Sequence, residues 1–308
     1  MKVLITGGAG YIGNELTFQL LKDPAVEKII IYDNLSRKNY NLFLDTKYDQ
    51  GKVQFVRGEL LDTRKLRNVV NEVDVVYHLA ARVSTPFASE DSHLFEQINH
   101  WGTAELVYAI EESNVSRFIY TSTTSVYGAS ENIIDINTVP NPKTFYGSSK
   151  LRSEEHVIRL NEKIPTYILR LGNVYGYSPS MRFDAVINRF MFEANFSGRI
   201  QITGNGLQNR SFIYIDRVVN ILHNLLGSDL PSGTYNLVDK HKAVIDVANL
   251  VKEIYPRLEM IFVNQHLMVR EMKVVRDERL DPLLTLPAMS MKDELLLLKN
   301  RFAFTSEY

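Results

Sequence analysis

Tyr146 and Lys150 stand four residues apart in Tyr146-Gly-Ser-Ser-Lys150. On a helix, that spacing puts a phenol and an ammonium on one face, one turn apart. A cation near a phenol favours the phenolate. The pair therefore predicts a lowered tyrosine pKa and a group able to take or give a proton near neutral pH. With 16 tyrosines in the chain, a bare Tyr-x-x-x-Lys pair also arises by chance, as two solvated side chains on a helix. The setting argues against that. Upstream, Tyr120-Thr-Ser-Thr-Thr-Ser-Val-Tyr-Gly128 ends an apolar run with a cluster of hydroxyls. The carboxyl ends of strands are where open α/β sheets bind ligands.

A second constellation opens the chain. Thr6-Gly7-Gly8-Ala9-Gly10-Tyr11-Ile12-Gly13 follows a short apolar run and leads into helical spacing. Gly7, Gly10 and Gly13 allow a tight turn and let the backbone approach a pyrophosphate. The helix that follows offers unpaired N–H groups and the positive end of its dipole. The next apolar run ends in Asp33, 20 residues beyond Gly13, where the ribose 2′-hydroxyl of NAD needs an acceptor. Asp33 would repel a 2′-phosphate, and Arg37 is four residues further on. NAD(H) is favoured over NADP(H).

The elements that must hold these residues are legible in outline. Val3–Ile5, Ile29–Ile31, Val53–Val56, Val73–His78, Arg117–Tyr120 and Thr166–Leu169 read as buried strands, being short and rich in β-branched residues. Between them Asn14–Leu21, Thr63–Asn71 and Ala104–Glu112 have helical spacing. Strand alternating with helix predicts a doubly wound parallel sheet, an α/β Rossmann domain over residues 1–175. Beyond Tyr175-Gly-Tyr-Ser-Pro-Ser180 the texture is less regular, with a helix over Phe183–Ala194, a strand at Arg199–Thr203, a helix over Asp216–Leu226 and a strand at Thr234–Val238. Residues 176–308 are expected to form a smaller, less regular lobe. The segment about 206–226 belongs either there or back on the first domain. Leu295–Leu298 reads as one face of a packed terminal helix.

Composition removes whole classes of function. With 35 basic and 36 acidic residues the formal net charge is -1, which argues against broad nucleic-acid binding. There are 0 cysteines, so no disulfide scaffold, Cys-ligated metal or thiol nucleophile is available. The N-terminus lacks the apolar core of a signal peptide, and no run is long and apolar enough to span a membrane. The expectation is a cytoplasmic protein.

Taken together, these residues resemble the extended short-chain dehydrogenase/reductase family, and within it the nucleotide-sugar epimerases and dehydratases. His78-Leu-Ala-Ala81, Asn99 before Gly102-Thr103, Arg170-Leu-Gly-Asn-Val-Tyr-Gly176 and Gly204-Asn-Gly206 with Gln208, Arg210 and Asp216 extend the likeness along nearly the whole chain. The resemblance implies a catalytic set of Thr123, Tyr146 and Lys150, with Thr123 meeting the sugar oxygen that Tyr146 deprotonates or protonates. Lys150 would also bind the nicotinamide ribose. Gly7, Gly10, Tyr11, Ile12, Gly13, Asp33, Asn34, Glu59, Leu60, Leu79, Ala80, Ala81 and Asn99 would contact or support NAD. In the Gly58-Glu59-Leu60 segment, Glu replaces the family's Asp. Asn173, Val186, Thr203, Arg210 and Arg270 would face the nucleotide-diphosphate sugar. Arg210 suits that role because a guanidinium binds phosphate with two prongs. Asp216 reads as a helix cap.

Two departures narrow the chemistry. The 4,6-dehydratases of the family carry Asp-Glu directly after the catalytic Thr, whereas this chain has Thr124 and Ser125. Neither is an acid or base near neutral pH, so C4 epimerisation is favoured. A 4-keto nucleotide-sugar reductase, an atypical dehydratase and a non-catalytic NAD-binding scaffold are the alternatives. The family's Leu-Gly-x-x-Pro segment is also missing, with Leu286-Pro287 roughly in its place. By the same resemblance a homodimer is expected, formed through the helices carrying Tyr146 and Asn99–Glu111.

Overall fold

The computed structural model describes residues 1–44, 51–83, 92–130, 132–264 and 271–304. Its strands are β1 (Lys2–Thr6), β2 (Lys28–Asp33), β3 (Val53–Arg57), β4 (Val75–His78), β5 (Arg117–Thr123), β6 (Ile133–Ile134), β7 (Thr166–Leu171), β8 (Asn173–Tyr175), β9 (Arg199–Thr203), β10 (Asn209–Tyr214), β11 (Gly233–Leu237), β12 (Lys240–Ala243), β13 (Glu259–Val263) and β14 (Lys273–Val274). Its helices are α1 (Tyr11–Leu21), α2 (Thr63–Val70), α3 (Ser92–Phe95), α4 (Gly102–Glu111), α5 (Phe145–Ile158), α6 (Val186–Ser197), α7 (Ile215–Asn224), α8 (Val244–Ile254) and α9 (Met291–Lys299).

Among the described residues, seven strands form one sheet in the order β3-β2-β1-β4-β5-β7-β11. Every pairing in it is parallel. The order reverses at β1, with β2 on one side and β4 on the other, and so opens a crevice at the carboxyl edge. Both faces are covered, which is why the central strands are apolar without alternation. On one face Leu16 and Leu20 of α1 pack with Val218, Ile221 and Leu222 of α7. On the other, Leu66 and Val70 of α2 meet Leu106 and Val107 of α4 and Val157 of α5. A third core, with Ile187, Phe190, Ile200, Ile202, Val247, Val251 and Leu295, lies in the later part of the chain.

The large sheet therefore takes elements from beyond residue 175. Helix α7 covers it beside α1, and β11 extends its edge by pairing with β7. The Thr234–Val238 run, read in the sequence as part of the smaller lobe, supplies the seventh strand of the larger one. Burial explains this: Tyr235 and Leu237 are 0% and 2% exposed, and β11 covers what would otherwise be a bare β7 edge. The later lobe adds a three-stranded sheet, β12-β10-β8, and a two-stranded pair, β13-β9. Here β8 and β10 run parallel, with Asn173 opposite Phe212.

Between β1 and β4 the backbones come too close for any side chain. A Cβ on Gly7 would lie 2.6 Å from the Ala80 nitrogen, and Gly7 has φ +71°. Only glycine adopts that conformation without strain. We expect Gly7→Ala to cost about 1–3 kcal/mol, read as a lower urea midpoint. Gly227→Ala should fall within about 0.5 kcal/mol of the parent, because its Cβ meets nothing within 4 Å.

Candidate active site

The glycine turn is built by its own backbone. The Gly7 amide donates to Tyr32 O at 2.9 Å and the Gly10 amide to Gly7 O at 3.0 Å. A Cβ on Gly13 would stand 2.6 Å from Gly7 O, so α1 can start flat against the turn only with glycine there. Gly10 precedes the first residue of α1 with no side-chain cap. The N–H groups of the first turn, at Tyr11 and Ile12, are thereby left for a ligand. Asp33, at the end of β2, points its carboxylate back at this turn. It accepts from the Ala9 amide at 3.1 Å and the Leu35 amide at 2.8 Å. Burial raises its pKa, and those two hydrogen bonds oppose the rise. Asn34 donates to Glu59 Oε2 at 2.9 Å, while Glu59 O accepts from Tyr32 Oη at 2.7 Å. Leu60 packs against Gly102, where a Cβ would come within 2.8 Å. Leu79, Ala80 and Ala81 follow β4 directly and are partly buried, as is Ile12. A backbone cradle that Cβ atoms would fill, facing a carboxylate at the end of β2, fits an NAD molecule. The cradle would hold its diphosphate and Asp33 its adenosine ribose.

Tyr11 has a further part. Its hydroxyl donates to Gly176 O at 2.6 Å and accepts from Asn188 Nδ2 at 3.2 Å. The side chain thus ties the cofactor helix to the later lobe.

A chain of polar contacts runs under the site. His78 Nδ1 lies 2.6 Å from Thr6 Oγ1, and its Nε2 lies 2.9 Å from Thr103 Oγ1. Thr103 spends its only hydroxyl proton on Asn99 O, so it accepts from His78 Nε2–H, and His78 Nδ1 accepts from Thr6. Burial holds His78 well below the usual imidazole range, with the Lys150 charge adding to the effect. Asn99 sits in a π-helical turn over Glu96–Trp101. It accepts from the Arg82 amide at 2.7 Å and donates to Arg82 O at 2.9 Å and Ser149 Oγ at 3.1 Å. That one buried amide fixes both the strand exit after β4 and the middle of α5.

Helix α5 starts at a Thr144 cap, whose hydroxyl accepts from the Gly147 amide at 3.0 Å. A Cβ on Gly147 would stand 2.6 Å from Ser125 O. Glycine there lets the helix press onto the turn that follows Thr123, which brings the Tyr146 phenol close enough for the Thr123 hydroxyl to favour the phenolate. Thr123 also accepts from the Ser125 amide at 3.1 Å. Lys150, 1% exposed, lies with Nζ 4.1 Å from the centre of the Tyr120 ring. Thr123, Tyr146 and Lys150 therefore share the carboxyl edge of the sheet, near the switch point at β1 and β4.

The electrostatics differ from the expectation of a phenol lowered by Lys150. Burial raises the Tyr146 pKa above its ordinary value. The influences that oppose it are the Arg182 charge, the nearby Thr123 hydroxyl and the Arg37 charge. The reason is where the lysine points: helical spacing sets its Cα, but its long stem lays the ammonium on Tyr120. Burial brings Lys150 itself down to about 7, against the pull of Glu154. Arg182 grips Asp184 with two prongs, at 3.1 and 2.8 Å, and Arg37 stands 4.0 Å from the same carboxylate. Sequence reasoning missed Arg182 and Asp184, which come from the loop before α6. No linear spacing ties them to Tyr146.

The residues expected to face the sugar nucleotide lie on the later lobe. Asn173 is exposed on β8 and donates to Ser211 O at 3.1 Å. Arg210 lies two residues from Phe212 on β10, the strand beside β8, and its Nη1 donates to Asn209 O at 2.9 Å. Burial lowers its pKa, opposed by Glu271. Val186 begins α6, Thr203 is exposed at the end of β9, and these two elements share the third core. Arg270 lies outside the described residues.

A parallel sheet with a glycine turn at its switch point and a Thr-Tyr-Lys set beside it defines a dinucleotide-dependent enzyme. The model of the NAD dependent epimerase/dehydratase family matches residues 3–237. The chain belongs to that family, and its cofactor is NAD. It is 33% identical over 262 residues to dTDP-D-glucose 4,6-dehydratase of Homo sapiens, covering 82% of this chain and 73% of the relative. To an uncharacterized UDP-glucose epimerase, YtcB, of Bacillus subtilis (strain 168) it is 32% identical over 265 residues, 83% of each chain. Among solved structures it is similar to UDP-glucuronic acid 4-epimerase from Bacillus cereus in complex with UDP-glucuronic acid and NAD. That match has a TM-score of 0.84 at 26% identity and covers 97% of this chain and 98% of the other. No described helix is long and apolar enough to cross a membrane.

The lowered Lys150 pKa has a consequence for stability. An unfolded lysine holds its proton up to about 10.4, whereas the folded one releases it near 7. Below the folded value, burying the charge destabilises the fold in full. Between the two values the unfolded state binds more protons, so this destabilisation fades as pH rises. In cofactor-free protein, Lys150→Met should melt higher than the parent at mildly acidic pH, and the gap should close with rising pH. A gap that is constant or widens towards alkaline pH refutes this assignment.

Proposed function

We propose that this chain is an NAD-dependent nucleotide-sugar C4-epimerase that works through a transient 4-keto sugar. The observation that carries the reading is that Thr123 on β5 and Tyr146 and Lys150 on α5 share the carboxyl edge of the sheet, with Thr124 and Ser125 where dehydratases hold their acids. NAD supplies the hydride acceptor and donor at C4. Tyr146 Oη takes the proton of the C4 hydroxyl and later returns it. Thr123 Oγ1 holds the same oxygen in line. The Lys150 ammonium would hold the nicotinamide ribose of bound NAD and, turned from the Tyr120 ring towards the phenol, would favour the phenolate. Epimerisation then needs only that the keto sugar turn its other face before Tyr146 returns the proton. No base is needed to expel water, and positions 124 and 125 supply none.

The substrate in this reading is a nucleotide-diphosphate sugar. Asn173 and Arg210 meet its diphosphate, and Val186 and Thr203 lie along its nucleoside. The likeness to a 4,6-dehydratase supports a second reading, in which water leaves the sugar. Product mass separates the two.

Incubated with NAD and a panel of UDP-, dTDP-, GDP- and CDP-sugars, the protein should give a product of unchanged mass from at least one. A product lighter by one water assigns dehydration instead, and no conversion of any sugar sinks both readings. Tyr146→Phe should lower turnover by about 10²–10⁴-fold while nucleotide-sugar binding persists.

We also propose a homodimer. Trp101, at the junction of the π-turn and α4, and Ile158, at the end of α5, are 54% and 49% exposed and offer apolar surface to a second copy. Sedimentation at micromolar concentration should give twice the chain mass.

A further inference from the structure

A buried ion pair lies behind the proposed reacting groups, and the reading above leaves it unused. Glu154 is on α5, one turn beyond Lys150, and its side chain is 2% exposed. Arg170, at 9%, comes from β7. The guanidinium grips the carboxylate with two prongs, Nε to Oε1 at 3.1 Å and Nη2 to Oε2 at 2.7 Å. Oε1 also accepts from Ser122 Oγ. Arg170 Nη1 donates to Tyr127 Oη at 2.8 Å, which in turn donates to Asn236 Oδ1 at 2.7 Å. Five residues from β5, the turn after it, α5, β7 and β11 form one bonded network.

Such a pair is a poor way to gain stability. Desolvating two charges offsets much of their attraction, and apolar side chains would fill the space as well. Its contacts point to another use. Ser122 precedes Thr123, and Tyr127 ends the short turn that Thr123 caps. The chain is thus moored to the same pair on both sides of the threonine. On the helix, Glu154 shares a face with Lys150. The other groups around Lys150 supply no compensating anion. His78 is buried and held neutral, Tyr120 offers its ring face, Tyr146 is a neutral phenol, and Arg170 is cationic.

We propose that Glu154, locked by Arg170 and Ser122, is a positioning residue. It holds the Thr123 strand end against the helix of Tyr146 and Lys150, and its carboxylate keeps the Lys150 ammonium charged. The proposal rests on reading those three residues as the reacting set. Burial pulls Lys150 towards its neutral form, and Glu154 is the influence that resists.

The test is Glu154→Gln, which keeps volume and removes charge. NADH binding, followed by fluorescence across neutral and alkaline pH, senses the Lys150 charge through the ribose. In Glu154→Gln the alkaline loss of binding should move down by about one pH unit, equivalent to about tenfold in affinity well above both midpoints. Glu154→Asp keeps the charge and should leave the midpoint near the parent's, even where altered reach slows turnover. Should Glu154→Gln not fold, the double variant Glu154→Gln/Arg170→Gln removes the opposing cation as well and should show a smaller shift in the same downward direction. An unmoved midpoint in the folded neutral variant, or an Asp variant that shifts as Gln does, overturns the proposal and leaves the pair a purely structural brace. NADH binding does not depend on which sugar is converted, so failure to epimerise any sugar is told apart from failure here.

Discussion

Close approach of backbone to backbone at the carboxyl edge of the sheet is the constraint on which everything else rests. Gly7 turns in a left-handed conformation with its Cα hydrogen side against Ala80, and Gly13 starts α1 against Gly7 O. Where main chains meet like this, their N–H groups become the wall of a pocket, and the helix dipole points into it. The same edge then gathers Asp33 from β2, the residues after β4, Thr123 from β5 and, through Asn99, the middle of α5. Asn99 matters because a single buried amide satisfies groups on two elements at once. An unpaired polar group at that depth would be costly, so its geometry is narrowly set.

Ionisable groups around the site are tuned by depth more than by partnership. Tyr146 is raised and Lys150 lowered, each mainly by burial. Both shifts favour uncharged forms, yet the proposed chemistry needs charge to appear on one and persist on the other. The opposing influences are therefore the informative ones: Arg182, Thr123 and Arg37 on the phenol, Glu154 on the amine. Three of these four are charged residues brought in from outside the Tyr-x-x-x-Lys spacing.

The later part of the chain is woven into the first fold. Helix α7 and β11 complete the large sheet, while Tyr11, Gly176 and Asn188 hydrogen-bond across from the cofactor helix. In the proposed reading, the strands that carry Asn173 and Arg210 are held at a fixed distance from the strands that carry NAD. A diphosphate would need that precision to present one sugar carbon to both phenol and nicotinamide.

By itself, the sequence determined the alternation of apolar runs and helical spacings, and with it a doubly wound parallel sheet. It also determined the glycine turn, Asp33 and the Tyr146–Lys150 pair. Each of these is a local property: strand and helix periods, turn chemistry and i, i+4 spacing are written within a few residues. Tertiary structure alone decided where the charges went. Arg182 acts on Tyr146, Lys150 rests on Tyr120, and Glu154 pairs with Arg170, because packing brings distant elements within a few ångströms in a medium that screens poorly. For the same reason β11, a short strand like several others in the chain, gave no sign of which sheet it would join. The open edge of β7 chose it.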